Sequence, residues 1–169
     1  MARIKLTRIL GVALAGVLLV AALAGCVPQG NNEAAQQGAA NRAYMTKVNQ
    51  IMEDLQSKLE GFTDAVSRGD VVNMRMEADT AFKAIDELGK LEAPDDLKDI
   101  ESEYKAGAND LKDALNGYIE LYTEIESATE AQPFDYSTYD ERLKDIKQKY
   151  DDGIGKLQSG DNKATEKKD

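Results

Sequence analysis

The chain has 169 residues, a formal net charge of −10, no histidine, no tryptophan and one cysteine. Without histidine there is no imidazole base, no Ser-His-Asp or Cys-His catalysis, no histidine-ligated zinc and no Glu-x-x-His di-iron bundle. The acidic balance opposes nucleic-acid binding, which needs clustered Lys and Arg, and the length fits one domain.

Residues 1–8 carry Arg3, Lys5 and Arg8 and no acid, and residues 9–25 are uncharged and almost wholly apolar, ending in small residues. Positive region, apolar core and small-residue end are in the order of a secretory signal. The apolar run is near the lower limit for spanning a bilayer. Three readings are open on these residues: a cleaved signal with an incidental cysteine, an uncleaved anchor, and a lipoprotein signal.

Leu23-Ala24-Gly25-Cys26 matches all four positions of the bacterial lipobox, and the segment resembles the signal of bacterial lipoproteins. The resemblance implies cleavage between Gly25 and Cys26 and a diacylglyceryl group on the Cys26 thiol. Two acyl chains meet the requirement for stable anchoring, which one chain does not. The expected location is the extracytoplasmic face of the cell membrane, with the lipid as the membrane contact and an envelope protein as partner. No cofactor is expected beyond the covalent diacylglycerol.

Residues 26–40 are mostly Gln, Asn, Gly and Ala after the cysteine and read as a flexible tether, with some helix near its last alanines. Residues 41–159 read as an all-α, antiparallel four-helix bundle. Apolar residues recur at three and four in each of four segments: Tyr44 to Val66, Val71 to Leu88, Leu97 to Ile125, and Tyr139 to Leu157. The third stripe is the longest, which predicts that one end of helix 3 overhangs.

The breaks have their own chemistry. Gly69 suits a left-handed helix end and Asp70 a cap for helix 2. Gly89 is expected to end helix 2 in the same way. Pro94 suits the first position of helix 3, with Asp95 and Asp96 at the positive end of its dipole. Thr138-Tyr139-Asp140-Glu141 reads as a capping box for helix 4. Gly107 and Gly117 mark a kink or a close helix contact. Gly153 and Gly155 weaken the second half of helix 4. Residues 160–169 have no apolar residue beyond Ala164 and read as a disordered tail.

Leu88, Leu91, Pro94, Leu97 and Ile100 form L-x-x-L-x-x-P-x-x-L-x-x-I across the second junction. The pattern resembles small helical-bundle lipoproteins of bacteria and implies a fold but no activity.

Several constellations bear on chemistry. Tyr104, Tyr118, Tyr122, Tyr139 and Tyr150 fall on inner stripes. Either the first three and Tyr150 line a ligand pocket between helices 3 and 4, or they are core-edge residues with hydroxyls at the seams. Glu120 and Glu124 share a face of helix 3, and Asp95, Asp96, Asp99, Glu101 and Glu103 crowd its start. They read either as a hard-cation site or as a solvated face. No EF-hand spacing is present and no metal ligands are assigned. Arg68-Gly69-Asp70 spells an adhesion tripeptide that capping also explains. Gly153-Ile154-Gly155-Lys156 fails as a phosphate loop, with Tyr150 where a glycine is needed and Leu157 where Ser or Thr is needed. The expected role is a non-catalytic binding or structural module, with small-ligand or metal binding as the alternative.

Overall fold

A computed structural model describes residues 32–167 and the side chains of 33–167. The signal, Gly25, Cys26 and the first residues of the expected tether lie outside the described residues. Among those described there are four α-helices and no strand: α1 (Asn32–Arg68), α2 (Val71–Lys90), α3 (Lys98–Ser127) and α4 (Tyr139–Glu166). The all-α four-helix bundle expected from the stripes is the fold.

The core is the apolar stripes themselves. Val48, Leu55 and Phe62 of α1, Met74 and Ala81 of α2, Ile100, Leu111 and Leu115 of α3, and Leu157 of α4 are sealed from solvent. The Phe62 ring meets Tyr118 edge-on at 5.9 Å, which ties α1 to α3. On the outside, Arg75 donates to the Thr123 hydroxyl at 2.8 Å and Lys112 pairs with Asp86 at 2.8 Å, so α2 and α3 run antiparallel.

The corner between α1 and α2 follows its local chemistry. Gly69 has φ +66°. Its N–H donates to the Val66 carbonyl and that of Asp70 to the Ala65 carbonyl, both at 3.0 Å. This is a Schellman end, which satisfies carbonyls the helix leaves unpaired. The Asp70 carboxylate then accepts from the Asn73 N–H at 3.1 Å and caps α2.

Other expectations are corrected. Helix α1 begins at Asn32, inside the expected tether, because the Ala- and Gln-rich run is a good helix former even though most of it is exposed. At 37 residues and about 55 Å, α1, not α3, is the longest of the described helices. Helix α2 passes through Gly89 to Lys90 and ends where Leu91 turns extended, ahead of Pro94. Pro94 caps a 3-10 turn, Asp95–Leu97, and α3 starts only at Lys98. The Thr138 capping box does not form: Asp135 instead caps a 3-10 turn, Tyr136–Thr138, by accepting the Ser137 N–H at 2.9 Å. The disordered tail is likewise overturned over residues 160–166. Helix α4 continues to Glu166, with Gly160, Asp161 and Ala164 buried against the bundle. Its burial uses glycine, alanine and one acid, residue types that carry little apolar signal.

Candidate functional site

Helices α3 and α4 hold most of the predicted site residues, and small residues bring the two helices together. A Cβ on Gly107 would lie 2.7 Å from the Gly153 carbonyl oxygen, and one on Gly117 would lie 2.8 Å from Ile146 Cγ1. Of the two alternatives for Gly107 and Gly117, the close helix contact is the one found, and Gly153, expected to weaken α4, is part of it, while Gly155 faces open space.

Tyr104, Tyr118, Tyr122 and Tyr150 are all in the core, each 4% exposed or less. Tyr104 donates to Asp161 Oδ1 at 2.6 Å. Tyr150 engages the Thr63 side chain of α1. The Tyr122 hydroxyl is buried beside that of Tyr139, close enough for a weak contact but without a hydrogen bond of good geometry. Burial raises all four phenols above their ordinary value, and Tyr150 is pushed up to about 12. They stay protonated across the physiological range.

The acidic face is largely paired. Glu124 receives both Arg142 guanidinium nitrogens, at 2.5 and 2.8 Å, which holds its carboxyl below the usual range. Glu101 is held by Lys98 at 2.9 Å and Lys105 at 2.7 Å, and Asp99 by Lys167 at 2.7 Å. Asp110 meets Lys156 and Glu103 meets Lys163, each at 2.5 Å, and Asp113 lies 3.6 Å from Lys149. In every ion pair between these two helices and their ends, α3 supplies the carboxylate and α4 or its cap supplies the cation. Among the described residues, no three carboxylates gather as metal ligands.

One groove opens on this outer face. It measures about 520 Å³ and is lined by Asp113, Asn116, Gly117, Glu120, Arg142, Asp145, Ile146 and Lys149. Gly117 and Ile146, which touch each other, both line it. Periodicity alone does not reveal it, since it depends on which residue of α4 faces Gly117.

The two short motifs are absorbed by the fold. Arg68 pairs with Asp64, while Gly69 and Asp70 build the corner. Lys156 is held by Asp110, and Gly153 packs on α3. Sequence reasoning missed Asp161, assigned to a tail. Its signal was present: 150, 154, 157, 161 and 164 continue the stripe of α4 at spacings of four and three.

Among the described residues, no helix is long and apolar enough to cross a membrane. The chain matches no protein-family model, no curated protein and no solved structure.

Proposed function

We propose that this chain is a bacterial lipoprotein. Cys26 carries a diacylglyceryl group that holds the domain on the extracytoplasmic face of the cell membrane, and the bundle acts as a non-catalytic binding or structural module of the envelope. The observation that carries this reading is Leu23-Ala24-Gly25-Cys26, placed directly after a positive region and an apolar run. The cysteine is the only one in the chain and needs no disulfide partner if its sulfur bears lipid. The buried, protonated tyrosines and the absence of histidine support a role without catalysis. An envelope protein is the expected partner.

The test is to treat intact cells with an inhibitor of lipoprotein signal peptidase. A larger, lipid-modified precursor is expected to accumulate, and a Cys26→Ser chain to leave the membrane fraction or remain as unprocessed precursor. Normal processing in both cases would refute the anchor.

The groove favours a second reading, in which the domain binds a small cationic ligand. Glu120 and Asp145 line it, and neither makes an ion pair of contact length. Calorimetry with calcium and with a short diamine tests this reading. Heat that disappears in the Glu120→Gln, Asp145→Asn double variant is expected, and the same heat in that variant would exclude the groove.

A further inference from the structure

Asp161 is 9% exposed, and its two oxygens sit in different surroundings. Oδ1 accepts the Tyr104 hydroxyl at 2.6 Å. Oδ2 is closed off from solvent and has no hydrogen-bond partner. An ionised carboxylate offers about four lone-pair sites, so the anion here is left with one donor in an apolar surrounding. A buried acid answers that cost by keeping its proton. Burial raises the Asp161 carboxyl above the usual range, and the Tyr104 hydrogen bond, which favours the anion, only partly offsets this.

The surroundings leave Asp161 without a cation. From α3 it faces Tyr104, and Tyr44 of α1 lies behind that phenol. The charged groups nearby are turned toward one another. Glu101 faces Lys98 and Lys105, Glu103 faces Lys163, and Asp99 faces Lys167. Glu166, on the same helix, adds a negative charge beside Lys163. Neither Lys163 nor Lys167 bonds to the Asp161 side chain.

The same carboxylate sits where the end of α4 docks. Gly160 lies against the Tyr104 ring, so close that a Cβ there would be 2.9 Å from Tyr104 Cε1. Ala164 is buried one turn on. Lys163 and Lys167 add ion pairs near the surface, where such pairs contribute little net stability.

We propose that Asp161 makes the last two turns of α4, residues 160–167, a proton-controlled latch: docked on α3 while the carboxyl is neutral, released as it ionises. Ionisation leaves a buried charge that water can reach only if the segment lifts away from Tyr104. The sign follows from linkage. A carboxyl that holds its proton more tightly when docked favours docking below the ordinary Asp value of about 3.9. The advantage falls as pH rises from there through the docked-state midpoint, and above that midpoint it is gone. Nothing in the latch depends on the lipid anchor.

Hydrogen exchange read by mass spectrometry tests this on the full chain in detergent micelles, between pH 4.5 and 8.5 and corrected for the intrinsic rate of exchange. Protection over 160–167 is expected to fall as pH rises. The loss should be roughly tenfold for each pH unit by which the docked-state midpoint exceeds the ordinary Asp value. The middle of α2 should show no such trend. Asp161→Asn should hold the low-pH protection across the range. Tyr104→Phe, which removes the one donor to the anion, should move the midpoint upward. Wild-type protection indifferent to pH, or an Asp161→Asn chain that keeps the trend, overturns the proposal. Should Asp161→Asn unfold, the carboxyl ¹³C resonance of Asp161 in the wild-type chain decides instead. A midpoint above the ordinary Asp value supports the latch, and one at or below that value overturns it.

Discussion

Gly107 of α3 and Gly153 of α4 bring two backbones into contact: each would place an added Cβ within 3.0 Å of the other's carbonyl oxygen. Backbone cannot rotate out of the way as a side-chain end can. Gly107→Ala is therefore expected to destabilise the bundle by about 1–3 kcal/mol, the usual range for overpacking, despite the better helix propensity of alanine. Gly155→Ala, two residues from Gly153 and facing open space, should instead stabilise it by about 0.5–1 kcal/mol. Urea midpoints at equal slope separate the two.

Tyr104 and Tyr122 should respond oppositely to loss of a hydroxyl. Tyr122 buries its oxygen with only a weak contact to the Tyr139 hydroxyl, so Tyr122→Phe removes a poorly satisfied polar atom and should leave stability unchanged or raise it by up to about 1 kcal/mol. Tyr104→Phe at low pH, where Asp161 is neutral and docked, leaves the buried carboxyl without its partner and should cost about 1–3 kcal/mol. Equal losses for the two variants in urea unfolding would contradict the assignment.

Glu101 should give the opposite pH dependence to Asp161. Burial works to raise its carboxyl, but Lys105 and Lys98 outweigh that and hold it below the usual range. A depressed carboxyl contributes stability above its unfolded value, near 4.3, and loses it as pH falls through the folded value. Glu101→Gln should be less stable than wild type at pH 7, by a margin that shrinks as pH falls below the ordinary Glu value of about 4.3. Paired urea titrations at pH 7 and below that value check this.

The corner at Gly69 depends on a left-handed residue. Gly69→Ala must adopt φ near +66° with a Cβ and should cost about 1–2 kcal/mol. Gly69→Asn should cost less, since asparagine tolerates that region. Thermal unfolding of the two variants ranks them.

What could be read from the sequence divides by range of interaction. The four stripes were legible because burial in a bundle repeats at three and four, and Val48, Leu55, Met74, Leu111 and Leu157 all lie where that period puts them. Gly69 and Asp70 were legible because a helix corner is local chemistry. The Gly107–Gly153 contact, the groove lined by Gly117 and Ile146 and the role of Lys156 were not, because each depends on which residues face across two helices. Asp161 was hidden for another reason: an acid on an apolar stripe looks like the stripe's end. The tyrosines were placed correctly as inner residues, while their partners came only from the fold.

The one-way arrangement of charge between α3 and α4 also discriminates between registers. If α4 slid one turn along α3 in one direction, Asp152 would replace Lys156 opposite Asp110, and Asp145 would replace Lys149 opposite Asp113. Acid would then face acid at both places, which is destabilising. A slide in the other direction would put Gly160 and Gly153 there and leave both carboxylates without a counter-charge. The exposed pairs need contribute little to the native state to matter; what they do is make the neighbouring alignments of the hairpin worse.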